Sequence, residues 1–170
     1  MIRYVISDTH FNHANIIKYC KRPENCDELM IENWKKIVKE DDIVYHLGDV
    51  IFGKKGELKD ILDMLPGKKI LIRGNHDTDS DTWFMKHGFD FVCDGLIHKN
   101  ILLTHKPMVI PTFNMCNIHG HLHNLGYSDV VSSQESYEQF DDGMHVLYSP
   151  ENEGYKPVEL YKLAGRIRVG

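Results

Sequence analysis

Over the first half of the chain, short apolar runs alternate with amphipathic stretches, and a polar cluster follows each run. Ile2 to Ile6 is β-branched and compact, the pattern of a buried strand, and it leads straight into Ser7-Asp8-Thr9-His10. A helical stretch around Ala14 to Cys20 is stopped by Pro23. A second helix is expected from Asn25, which stands three residues before Glu28 and so suits an N-cap. Within it Met30, Ile31, Trp34, Ile37 and Val38 fall on one apolar stripe. Ile43 to Leu47 reads as a strand ending in Gly48-Asp49, a helix follows over about Lys55 to Leu65, and Pro66-Gly67 turns the chain. Lys69 to Arg73 is a third strand, ending in Gly74-Asn75-His76-Asp77. Asp79 or Ser80 can cap the next helix, which carries Trp83 and Phe84 and closes at Gly88.

The second half changes character. Strands are predicted at Phe89–Val92, Leu96–His98, Ile101–Thr104, Met115–Ile118 and Met144–Tyr148, with no helix of comparable length between them. An alternating half followed by a strand-rich half predicts an α/β fold of two stacked sheets with helices outside. Asn124 to Asp142 is rich in Ser, Gln, Asp and Glu and lacks a period, and a loop of that length is usually functional or disordered.

Composition narrows the classes. With 170 residues and 42% hydrophobic content the chain is expected to form a single domain over 1–170. Its net charge is -5 with the two signs interspersed, which excludes the basic stripe of a dedicated nucleic-acid binder. Cys20, Cys26, Cys93 and Cys116 include no C-x-x-C pair and Met1-Ile2-Arg3 does not open a signal peptide, so a reduced, cytoplasmic setting is expected. Apolar runs such as Ile101-Leu102-Leu103 fall far short of the roughly 20 residues that span a bilayer. Eleven histidines in so small a chain raise the question of metal.

Five polar clusters follow strand ends: Asp8-Thr9-His10, Gly48-Asp49, Gly74-Asn75-His76-Asp77, Thr104-His105 and Gly120-His121-Leu122-His123. Active sites of α/β sheets collect at such loops. The clusters supply Asp, Asn and His, ligand types that suit Mn, Fe, Zn or Ni. A locally extended backbone would aim both side chains of Asp8-x-His10, and both of His121-x-His123, in one direction.

In order and spelling, the five clusters closely resemble the calcineurin-like metallophosphoesterase family, whose pattern runs D-x-H, G-D, G-N-H-[D/E], H, G-H-x-H; the resemblance covers positions 5 to 125. It implies a four-layer α/β/β/α sandwich. It also implies two divalent ions, manganese favoured. Asp8, His10, Asp49 and His123 would hold one, Asp49, Asn75, His105 and His121 the other, with Asp49 bridging. A hydroxide shared by the ions would attack the phosphorus of a phosphodiester or phosphomonoester in line. His76 resembles the family's substrate-facing histidine and is the expected proton donor to the leaving oxygen, with Asp77 beside it as a possible orienting partner. The stretch from Phe11 to Cys20 resembles small bacterial and phage members.

Other residues carry weaker expectations. Asn12 and His13 lie near enough in sequence to line the pocket. His13, His46 and His119 are second-layer donors or structural histidines, and His87, His98 and His145 are ordinary. Lys18, Lys21 and Arg22 form a small basic cluster that more often solvates a surface than binds phosphate, and Arg73 is similarly placed. A small phosphate ester is the leading substrate class, a nuclease is the alternative enzyme, and a non-catalytic scaffold is the alternative outside catalysis. The full set of motif residues favours catalysis. The Asn124 to Asp142 loop would serve as a lid or a subunit contact, as in a homodimer.

Overall fold

The computed structural model describes residues 1–112, 114–129 and 136–167. Four strands, β1 (Arg3–Ile6), β2 (Ile43–His46), β3 (Lys68–Ile72) and β4 (Phe91–Cys93), lie parallel in the order β4-β3-β2-β1. Val5, Ile6, Val44 and Leu71 are fully buried in them. A parallel sheet covered on both faces needs such unbroken apolar runs, and it leaves the C-terminal strand ends, all at one edge, for polar chemistry. The register sets Ile6 opposite His46 and His46 opposite Leu71, so the loops after β1, β2 and β3 start level with one another.

The second sheet has the order β5-β6-β7-β8, from β5 (Leu96–His98), β6 (Ile101–Leu103), β7 (Cys116–His119) and β8 (His145–Leu147). β5 and β6 form an antiparallel hairpin, whereas β6, β7 and β8 run parallel. One core cluster unites the sheets: Val5, Ile6, Leu71 and Ile72 from the first join Ile101, Leu103, Ile118 and Val146 from the second. The expected pair of stacked mixed sheets with helices is therefore the observed architecture.

Helix α1 (Ala14–Tyr19) and helix α2 (Cys26–Ile37) follow β1. The α2 stripe is buried at Met30 and Trp34, and Trp34 Nε1 donates to the Pro66 carbonyl at 2.9 Å, tying the helix to the turn before β3. Asn25 occupies the N-cap but makes no side-chain cap bond; Asp27 and Glu28 in the first turn instead complement the helix dipole. The expected Lys55 to Leu65 helix is a 3₁₀ turn, Lys55–Glu57, running into α3 (Leu58–Asp63). Gly56, with its poor helix propensity, sits in the tighter turn. In α4 (Asp81–Lys86) Ser80 is the cap, accepting from the Trp83 N–H at 3.2 Å.

After Tyr148 the chain forms elements with no sequence period to announce them: α5 (Pro150–Glu153), the two-residue β9 (Val158–Glu159) and α6 (Leu160–Ala164). β9 pairs antiparallel with β1 and covers its free edge. Part of the Asn124 to Asp142 stretch falls outside the described residues. Of the remainder, Tyr137 and Phe140 pack with Leu122 in a small satellite cluster beside the last histidine motif. All four cysteines are free thiols, and among the described residues no helix is long and apolar enough to cross a membrane.

Trp34 is 1% exposed and bridges helix to turn. Trp34→Ala is expected to cost about 3–5 kcal/mol, read from the midpoint of urea unfolding at constant m.

Candidate metal centre

Parallel pairing of β1 and β2 continues past the strands and carries the first two motifs together. The Asp8 N–H donates to the Gly48 carbonyl (2.9 Å), and the His10 N–H to that of Asp49 (3.0 Å). Thr9 Oγ1 donates to the Val50 carbonyl (2.7 Å) and meets His46 Nε2 (3.0 Å), while His46 Nδ1 accepts from the Gly48 N–H (3.1 Å). His46 is thus a structural histidine that fixes both loops, and burial pushes its imidazole down to about 4.

Asp8, His10, Asp49, His121 and His123 all adopt positive φ, between 48° and 73°. This corrects the expectation of extended backbone at Asp8-x-His10 and His121-x-His123. Asp and His tolerate the left-handed region better than most residues, yet each such position is strained, and strain of this kind gathers at functional sites. Two glycines permit the approach of the loops. A Cβ on Gly74 would collide with the Asp49 carboxylate, and one on Gly120 with Ser7 Oγ and Asp8 Oδ2.

Two groups of side chains result. Asp8, His10 and His123 present donor atoms within 4.8 Å of one another, as do Asp49, His105 and His121. Asp49 Oδ2 stands between the groups, 3.7 Å from His10 Nε2 and 3.5 Å from His105 Nε2. Asn75 Oδ1 lies 2.9 Å from His105 Nε2, and His121 Nδ1 is 3.2 Å from that same nitrogen. His105 Nδ1 donates to the Leu47 carbonyl at 2.7 Å, which fixes the ring with Nε2 turned inward. His76 is half-exposed, its Nε2 4.0 Å from Asp49 Oδ2 and its backbone N–H bonded to Asp49 Oδ1 at 2.9 Å. All eight motif residues expected at a two-ion site are thereby brought together.

The residues fit a cation. Asp8 Oδ1 and both ring nitrogens of His10 are buried without a hydrogen-bond partner, a costly state for polar atoms that a cation at the first group would relieve at Asp8 Oδ1 and at His10 Nε2, the nitrogen that faces Asp8 and Asp49. Burial pushes the His10 imidazole down to about 2, so it stands neutral, as a ligand must. Burial opposes ionisation of Asp8, but His105, His123, His10 and the Ser7 hydroxyl outweigh it and hold the carboxyl below its usual range. Asp49, more strongly governed by burial than by His105, is raised. Oxygen and imidazole donors in this mixture suit first-row divalent ions.

Asp77 does not orient His76. Its Oδ2 accepts from the N–H groups of Asp49 and Gly74, both at 2.8 Å, and its Oδ1 from that of Val50 at 3.1 Å. Three backbone donors consume the buried carboxylate, so its work is to lock the Gly48-Asp49 loop to the Gly74-Asn75 loop. Arg73 likewise serves its own loop, donating to the Asp77 and Asp79 carbonyls and to Asp81. His119 is bonded to the Gly120 carbonyl and the Tyr127 hydroxyl, and His145 to Asp142 and the Met108 carbonyl.

Arg22 is not a surface charge. It is buried, donating to the carbonyls of Thr9 (3.0 Å) and Asp8 (2.8 Å) and to Glu151 Oε1 (2.8 Å). Glu151 in turn faces His123 Nδ1 at 3.5 Å, leaving His123 Nε2 directed at Asp8 Oδ1, 3.9 Å away. Burial alone would lower the His123 imidazole, but Cys20, Glu151 and Asp8 push it up to about 10, so a cation joining this group would have to displace a proton from His123. This clamp was missed in the sequence because its halves stand 129 residues apart. Lys18 and Lys21 are exposed, as charge runs usually are.

The family model for the calcineurin-like phosphoesterase superfamily domain matches residues 1–141. The chain belongs to this superfamily. It is 36% identical to the uncharacterised protein MJ1445 of Methanocaldococcus jannaschii, over 98% of this chain and 92% of the relative. It is 28% identical to the gene 66 protein of Mycobacterium phage D29, over 83% and 88%. Among solved structures, it resembles AQ665 of Aquifex aeolicus, a protein of unknown function, with a TM-score of 0.72, 31% identity and coverage of 96% and 98%. The nuclease MPE of Pseudomonas putida shares the fold, with a TM-score of 0.52, 20% identity and coverage of 71% and 61%. Superfamily membership makes the chain a relative of phosphoester hydrolases that bind divalent metals.

Asp77→Ala strands three backbone N–H donors, two of them buried, and is expected to destabilise the metal-free protein by about 3 kcal/mol or more in urea unfolding. If Asp77 served His76 alone, stability would hold and only turnover would fall.

Proposed function

We propose that the protein is a dinuclear-metal phosphoesterase that hydrolyses a small phosphodiester or phosphomonoester. The observation that supports it most is the position of Asp49 Oδ2 between two donor groups, within 4 Å of imidazoles from both. Asp8, His10, Asp49 and His123 would hold one ion, and Asp49, Asn75, His105 and His121 the other. Two such ions would supply Lewis acidity at a phosphoryl oxygen and lower the pKa of water enough to make hydroxide available near neutral pH. Because only Asp8 and Asp49 bring formal negative charge to the ligand set, an anionic ester is drawn to the centre even though the chain is acidic.

The residues around the ions divide the remaining work. His76 is tethered through its backbone N–H to Asp49 while its ring stays accessible, which suits a group that meets a substrate and hands a proton to the leaving oxygen. Arg22 and Glu151 keep the Asp8 loop and His123 in register, and Asp77 does so for the Asp49 and Asn75 loops. A donor set held this rigidly loses little freedom on meeting its substrate.

Protein supplied with manganese is expected to retain about two ions by elemental analysis and to hydrolyse bis(p-nitrophenyl) phosphate. Inert protein that retains both ions would point to a scaffold instead. His76→Ala should keep the metal content and lose roughly 10²–10⁴-fold in kcat on an ester with a poor leaving group, with a smaller loss on a nitrophenyl ester that needs no proton. Full turnover of the poor-leaving-group ester would remove His76 from this role.

A further inference from the structure

The metal centre opens on one side into a cleft whose walls change from imidazole to hydrocarbon. A cavity of about 500 Å³ is lined by His10, His76 and His123 of the centre and by Phe52, Tyr19 and Leu125 among others. Those three apolar residues are exposed by 39%, 73% and 47%. Large apolar side chains scattered over a surface need no explanation, but three around a cleft that ends at a reactive centre do. The rings also form a connected series. Tyr19 meets His13 edge-on at 6.3 Å, His13 stacks on Phe52 at 4.2 Å, Phe52 meets His76 at 5.4 Å, and His76 meets His10 at 5.9 Å.

Charge decides what such a wall can receive. None of the described residues that line the cleft is a lysine or arginine. The nearby Arg22 is consumed by Glu151 and two carbonyls. A strand of nucleic acid would bring further phosphates along the groove and need cationic contacts for them. A single phosphate seated at the metals, carrying one neutral planar ring, asks for none. Small-molecule sites are built in this way, with a mostly apolar wall and a few polar groups at the reacting end.

We infer that this cleft is the subsite for the ring of a small aromatic phosphate ester, an aryl or nucleoside phosphate, with Phe52, Tyr19 and Leu125 as its specificity-determining residues. The inference rests on the phosphoesterase reading and deepens it. His76 stands where the cleft meets the centre, so a ring held against Phe52 belongs to the substituent that departs, beside the group that protonates it.

Non-hydrolysable anions test the wall without requiring turnover. Manganese-loaded protein is titrated calorimetrically with phenylphosphonate and with methylphosphonate, which share the anionic head and differ in the ring. Wild type is expected to prefer the phenyl compound about tenfold or more, the scale of one aromatic stacking contact. The preference should shrink severalfold toward unity in Phe52→Ala and, separately, in Tyr19→Ala, an exposed position where a folding defect is not expected. The C–P-bonded 5′-deoxyadenosine 5′-phosphonate distinguishes the two ring sources: tighter binding than phenylphosphonate identifies a nucleoside, weaker binding a directly attached aryl group. Equal affinity of wild type for the phenyl and methyl compounds overturns the subsite and leaves the phosphoesterase reading standing. Binding of neither, together with no hydrolysis of bis(p-nitrophenyl) phosphate, overturns both.

Discussion

A carboxylate only 3% exposed, that of Asp49, sets the terms for the whole centre. Its Oδ2 has imidazoles of His10, His105 and His76 at 3.7, 3.5 and 4.0 Å, contributed by three separate loops, and its Oδ1 holds the backbone of the third. Burying a carboxylate among ring nitrogens is unfavourable unless positive charge stands nearby. The two sheets make the arrangement unavoidable all the same. β1, β2 and β3 end level on one edge, and β6 and β7 of the second sheet bring His105 and the last histidine motif over it. Fold and centre are therefore one constraint: the level strand ends fix how far apart the five loops can stand.

Holding the loops falls to a small set of buried polar groups bonded to loop backbone. Asp77 spends three acceptor positions on backbone N–H groups, Arg22 spends its donors on two carbonyls and Glu151, and His46 pairs with Thr9 and Gly48. Each is satisfied by the backbone of a loop that also bears a candidate ligand. That distribution explains why residues with the look of chemistry in the sequence turn out to do mechanical work.

The strand ends and their motifs were legible because each motif is a contiguous polar spelling after a short apolar run, and the run's period survives in one dimension. Strands β1 to β8 fall within a residue or two of the expected ones, and β5 coincides with its expected span. Three things were not legible. Left-handed backbone at Asp8, His10 and Asp49 leaves no mark in side-chain pattern, because nothing but tertiary pairing imposes it. The role of Asp77 was misread because adjacency to His76 in sequence says nothing about direction in a tight turn. Glu151, α5 and β9 lie in a short, aperiodic segment, where Ser149, Pro150 and Gly154 bound a single helical turn too short to show a period and the pairing to β1 and to Arg22 comes from far along the chain.

Strain and unpaired polarity at the centre bear on stability as well as chemistry. Five of the seven candidate ligands sit at positive φ, and Asp8 and His10 bury atoms with no hydrogen-bond partner. Each such feature costs on the order of 1–3 kcal/mol, a sum comparable with the whole stability of an ordinary domain. Cations that bound the folded state and not the unfolded one would offset this cost by mass action, so the loops' left-handed geometry and any metal they hold would be linked thermodynamically. The clamps of Asp77 and Arg22 hold these loops through bonds to their own backbone, which makes the geometry of the candidate ligands a property of the fold.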